Sequence, residues 1–130
     1  MASRARPLSP HISIWRWRVH MLVSILHRVT GDGMALVGVP LFLWWLVAMA
    51  GGEESYATFR TFAVSPFSYV FWIGLTLSFF QHVGSGVRHL VMDTGAAFEI
   101  KTAKRTAQST FLFSIPMTIL VWAIVWFVKG

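Results

Sequence analysis

"GMALVGVPLFLWWLVAMAGG", Gly33–Gly52, contains no Lys, Arg, Asp or Glu in 20 residues. Wound as a helix at about 1.5 Å per residue, such a stretch reaches ~30 Å, the thickness of a bilayer's hydrocarbon core. Two further stretches, Thr61–Gln81 and Thr106–Val128, are also free of charged residues. With 55% hydrophobic and 12% charged residues and a mean hydropathy of +0.62, the chain has too little polar surface to cover a soluble globule. The expected fold is all-α and integral to the membrane, with three transmembrane helices and the termini on opposite sides.

The pattern predicts one membrane-anchor domain over residues 1–130. Residues 1–19 form a basic, aromatic lead-in, where Trp15 and Trp17 alternate with Arg16 and Arg18, a composition suited to the headgroup layer. Helix I is expected over 20–52, with Gly51–Gly52 as its stop and a kink at Pro40. Helix II spans 65–93, opened by Ser65 as N-cap with Pro66 in its first turn. Helix III covers 106–128, with a second kink at Pro116. The opening "MASRARPLSPH" lacks the apolar core of a signal peptide, so the first span is expected to stay in the mature protein. Cysteine is absent, which removes disulfides and thiolate ligation from this chain and leaves histidine as the ligand for any metal.

The formal net charge of +6 speaks for topology, and nucleic acid is not expected as a partner. Arg4, Arg6, Arg16, Arg18 and Arg28 precede the first uncharged stretch, and Arg88, Lys101, Lys104 and Arg105 surround the second connection; only Arg60 and Lys129 lie elsewhere. The positive-inside rule therefore puts the N-terminus and the 93–106 loop in the cytoplasm. The "GGEESYATFRTFAVS" loop and the C-terminus then face outward.

Two constellations carry the chemistry. Ser24, His27 and Arg28 stand at i, i+3 and i+4, so a hydroxyl, an imidazole and a guanidinium share one helix face. Such a set suits a carbonyl that gains electrons and then protons, because the cation stabilises the developing charge. The plainer reading has Arg28 snorkelling from a helix end, or pairing with Asp32 four residues on. In the second constellation Gly74, Ser78, His82 and Gly86 follow one another at steps of four. Small residues above and below a histidine leave a groove where a planar haem can lie while the imidazole reaches its iron. The alternative is a small-residue packing surface with His82 bonded to another helix. Arg88, His89 and Asp93 form a polar cap at the end of this helix, where His89 and Asp93 have the spacing of an ion pair, and Glu99 follows in the loop.

Three blocks, "RPLSPHISIWRW" at Arg6–Trp17, "SILHRVTG" at Ser24–Gly31 and "HVGSGVRHLVMD" at His82–Asp93, together resemble the cytochrome b subunits of succinate dehydrogenase, the larger membrane anchors of respiratory complex II. The resemblance implies half of a helical bundle completed by a second, smaller anchor subunit, in a bacterial inner membrane. It implies that His82 is an axial ligand of haem b, that Ser24 and Arg28 line a ubiquinone site beside the iron–sulfur subunit, and that His27 and Arg28 lie near the haem propionates. Asp93 and Glu99 match acidic positions that are candidates for proton delivery. Electrons from succinate would arrive through a flavoprotein and the iron–sulfur subunit, so the chain is expected to be an obligate subunit of an enzyme and inactive alone. Asp32 departs from the pattern, in which an apolar residue follows the Thr-Gly pair. The alternatives are a fumarate reductase anchor running the reverse direction, a self-contained b-type cytochrome with haem clamped between His27 and His82, and a membrane scaffold without redox chemistry.

Overall fold

The computed structural model describes residues 10–14 and 16–129; residues 1–9, Trp15 and Gly130, and with them five of the twelve residues of the Arg6–Trp17 block, lie outside the described residues. A single turn, α1 (His11–Ile14), precedes α2 (Val19–Gly33), a π-helical turn (Met34–Gly38) and α3 (Val39–Ala50). A short α4 (Glu53–Ala63) leads into α5 (Pro66–Asp93), and α6 (Ile100–Lys129) closes the chain. Among the described residues, three helical stretches are long and apolar enough to cross a membrane: Val19–Ala50, Pro66–Asp93 and Ile100–Val128. The chain is an all-α, multi-pass membrane protein.

The first span bends to its sequence at Pro40. Proline has no N–H and its ring presses on the carbonyl four residues earlier, here Leu36. The wider π turn over Met34–Gly38 sits immediately before it and makes room for the ring without ending the helix. In the third span, Pro116 lies inside α6, which runs through it without a break.

The connection from Gly51 to Ser65 is largely helical. Gly52, at φ 85°, turns the chain where a side chain would be strained, and α4 then starts on Glu53 and Glu54 and ends near Arg60, charges that suit the two poles of its dipole. Phe59 is buried and meets Trp44 edge-on at 5.1 Å, while Phe62 lies 5.0 Å from the same indole. These rings fasten α4 across the end of α3. The Ala63 carbonyl at its end accepts from Ser68 Oγ at 2.8 Å and Trp72 Nε1 at 3.0 Å. Ser65 caps α5 by accepting from the Ser68 amide at 3.3 Å. At the opposite end, α6 begins at Ile100, earlier than Thr106, because the charged turn Lys101–Arg105 needs no hydrocarbon to be helical; Thr102 Oγ1 donates to the Glu99 carboxylate at 3.4 Å in its first turn.

The three spans are inside out compared with a soluble protein. Gln81, Ser85, Ser114 and Thr110 are buried, whereas Leu36, Leu112 and Phe127 are 76%, 75% and 89% exposed, as expected where lipid is the solvent. Between α5 and α6, Gln81 Nε2 donates to Thr110 Oγ1 at 3.0 Å and Ser114 Oγ donates to Gln81 Oε1 at 2.7 Å. Between α2 and α5 the contacts form an antiparallel register in which Gly38 meets Leu75, Gly31 meets His82 and His27 meets Gly86.

Candidate functional site

The register brings His27 of α2 against His82 of α5. Their rings stack with centroids 4.0 Å apart and planes 12° from parallel. His89, two turns from His82, tilts against His27 at 4.8 Å. A Cβ at Gly31 would stand 2.9 Å from His82 Cε1, so any side chain there would force the ring to shift; the glycine lets the imidazole come close to the α2 backbone.

The hydrogen bonds fix which nitrogen of each ring is used. His82 Nδ1 lies 3.0 Å from the His27 carbonyl, which can only accept, so Nδ1 carries the proton and Nε2 keeps its lone pair. The buried Ser85 Oγ lies 2.7 Å from His27 Nδ1 and 3.2 Å from the His82 carbonyl, and so ties the His27 ring to α5 through Nδ1, in either tautomer. His89 Nδ1 donates to the Ser85 carbonyl at 2.7 Å. Three imidazoles thus hold the protein through Nδ1, and among the described residues none of their Nε2 atoms has a hydrogen-bond partner. A backbone hydrogen bond at one ring nitrogen is what orients a metal-ligating histidine at the other, so His82 fits an axial role toward a haem iron.

The other expected site residues stand apart from this cluster. Ser24 is half-buried and Arg28 exposed, on the flank of α2 beside the face that carries His27. Among the described residues neither has a hydrogen bond or ion pair, and Arg28 is not paired with Asp32. Asp93 ends α5 and is exposed; Glu99 is exposed at the start of α6. Of the small-residue stripe, Gly86 lies against His27 while Gly74 faces open space.

The geometry corrects two of the alternatives. One iron held between His27 and His82 needs their Nε2 atoms to face each other across the metal, which rings stacked face to face do not do. The ion pair considered for His89 and Asp93 does not form, because His89 is turned to the Ser85 carbonyl. Sequence reasoning missed Ser85 and Thr30, whose Oγ1 lies 3.3 Å from His82 Nδ1. Both were visible inside the blocks "HVGSGVRH" and "SILHRVTG", but a serine and a threonine in an apolar helix commonly bond back to their own backbone, and their cross-helix contacts depend on the register.

The sequence matches the model of the succinate dehydrogenase/fumarate reductase transmembrane subunit family over residues 2–121. The chain belongs to this family. Similar members include the succinate dehydrogenase cytochrome b556 subunit of Rickettsia felis, 32% identical over 117 residues that make up 90% of each chain. That of Paracoccus denitrificans is 32% identical over 123 residues, 95% of this chain and 93% of the relative. The mitochondrial cytochrome b560 subunit of Sus scrofa is 36% identical over 97 residues, 73% of this chain and 57% of the relative. As a succinate dehydrogenase/fumarate reductase transmembrane subunit, the chain is part of an oxidoreductase complex, and it has the three apolar helices of a membrane family.

Proposed function

We propose that the chain is the cytochrome b anchor of a succinate:ubiquinone oxidoreductase, holding haem b together with a second small anchor subunit beneath an iron–sulfur subunit and a flavoprotein. The observation that carries this reading is the bond from His82 Nδ1 to the His27 carbonyl, which presents Nε2 as a ligand from within a membrane helix. Haem b bound there would supply a one-electron store in the membrane. Around it, His27 would donate an Nε2–H, and Arg28 would offer its charge, to the propionates.

Ubiquinone would enter from the bilayer at Ser24 and Arg28, on the Arg88 side of Asp32. The Ser24 hydroxyl would hold a carbonyl oxygen, and the guanidinium, unpaired among the described residues, would stabilise the negative charge that grows on it. Asp93 and Glu99, exposed at the basic end of the molecule, would deliver protons. By the distribution of Lys and Arg, that end and the N-terminus are cytoplasmic and the C-terminus periplasmic, in the inner membrane of a bacterium.

The test is a reduced-minus-oxidised absorption spectrum of the purified complex, wild type beside His82→Ala, with succinate–quinone reductase activity assayed on both. A b-type band in the wild type that is lost or shifted in the variant is expected. A wild type without the band would remove the role of His82, and absence of reductase activity as well would remove the whole reading.

A further inference from the structure

The register of α2 on α5 assigns a depth to every position of the first span. With Gly38 on Leu75, Gly31 on His82 and His27 on Gly86, Asp32 stands level with Gln81, seven residues along α5 from Arg88. From Pro66 to Val87, α5 has 22 residues without a charge, about 33 Å of helix, enough to fill the hydrocarbon core alone. Arg88 therefore marks the edge of that core, and Asp32 lies about 10 Å inside it.

Asp32 is exposed on this chain and, among the described residues, has no hydrogen bond or ion pair. Arg28 is one turn away on the same flank and is not paired with it. A bare carboxylate at such a depth is costly, and its side chain is too short to snorkel to the headgroups as Lys or Arg does. Lipid tails offer it nothing. A second copy related by a two-fold axis along the membrane normal would bring residues of equal depth together and set Asp32 against Asp32.

We propose that a transmembrane helix of a second subunit seats on the flank of α2 that carries Asp32 and presents a Lys or Arg side chain to its carboxylate. The inference rests on the membrane-anchor reading above and names a contact for the second anchor, but it uses neither haem nor quinone. A complex without the His82 band would therefore leave it standing.

Two experiments on the intact complex test it. In the first, Val29→benzoylphenylalanine places a photo-crosslinker at an exposed position one turn from Asp32, and the complex is irradiated in native membranes. The expected product joins this chain to another membrane polypeptide, within a turn of a Lys or Arg lying in its span. Crosslinks to lipid only, to a second copy of this chain, or to a span without a basic residue overturn the proposal. In the second, the co-purified amount of the second small subunit is measured for Asp32→Leu and Asp32→Glu. At least a tenfold loss in the first and retention in the second is expected; Asp32→Leu with wild-type retention overturns it.

Discussion

Gly31→Ala adds one methyl group against the ring of His82. Its Cβ would stand 2.9 Å from His82 Cε1 and 3.4 Å from Nδ1. The ring cannot retreat freely, because Nδ1 is bound to the His27 carbonyl at 3.0 Å and the His27 ring is stacked on it at 4.0 Å. Overpacking of this kind costs about 1–3 kcal/mol, and a displaced ring also gives up a hydrogen bond worth about 1 kcal/mol. Gly33→Ala, in the same helix, would meet nothing within 4 Å. Both substitutions gain about 1 kcal/mol of helix propensity, so this contribution cancels in the comparison. Gly31→Ala should be less stable than Gly33→Ala by about 1–4 kcal/mol in a denaturant titration of the purified complex, and only Gly31→Ala should shift the haem absorption proposed above. Equal stability and identical spectra for the two variants would refute the reasoning.

Ser85→Ala removes the hydroxyl bonded to His27 Nδ1 and should destabilise the complex by about 1–3 kcal/mol; Ser85→Thr should restore most of it, and ¹⁵N spectra of labelled histidine should show the His27 signals change only in the alanine variant. Gln81→Leu keeps the volume but removes the bonds to Thr110 and Ser114, a loss of about 1 kcal/mol at the ~0.6 kcal/mol typical of each side-chain bond in membranes; a double-mutant cycle with Ser114→Ala measures the coupling. Phe59→Ala removes the buried ring that holds α4 to Trp44, at about 3 kcal/mol, and should accelerate tryptic cleavage after Arg60 in membranes opened on that side.

The number of spans and their helical character were legible because three uncharged stretches admit no other structure in lipid. The extent of α6 was not, because hydropathy marks the part of a helix that needs hydrocarbon and is silent on a charged turn such as Lys101–Arg105 that continues it in water. Nor was α4: with Glu53, Glu54 and Arg60 it reads as a polar connection, and its helix depends on Phe59 and Phe62 finding Trp44, a contact between elements. The two prolines show the same limit. Pro40 and Pro116 both announce a disturbance, yet whether it becomes a π turn or an unbroken helix depends on what surrounds it. At the candidate site, His27 and His82 could be singled out as chemically active residues in apolar helices. Their stacking, and the part played by Ser85, waited on the register between α2 and α5, which is carried by glycines at positions 31, 38 and 86 whose partners the sequence does not name.

The polar bonds between α5 and α6 also bear on how the protein enters the bilayer. Gln81 meets Thr110 and Ser114, and Arg88 donates to Thr106; all three of these bonds cross from α5 to α6. Released from the translocon by itself, α5 would carry an unanswered amide and a guanidinium into lipid, each at a cost of kilocalories. It enters most readily as a helical hairpin, waiting beside the insertion channel until α6, the more apolar segment, has been made. Synthesis of the last 30 residues of helix is thus the step that commits the middle of the chain to the membrane.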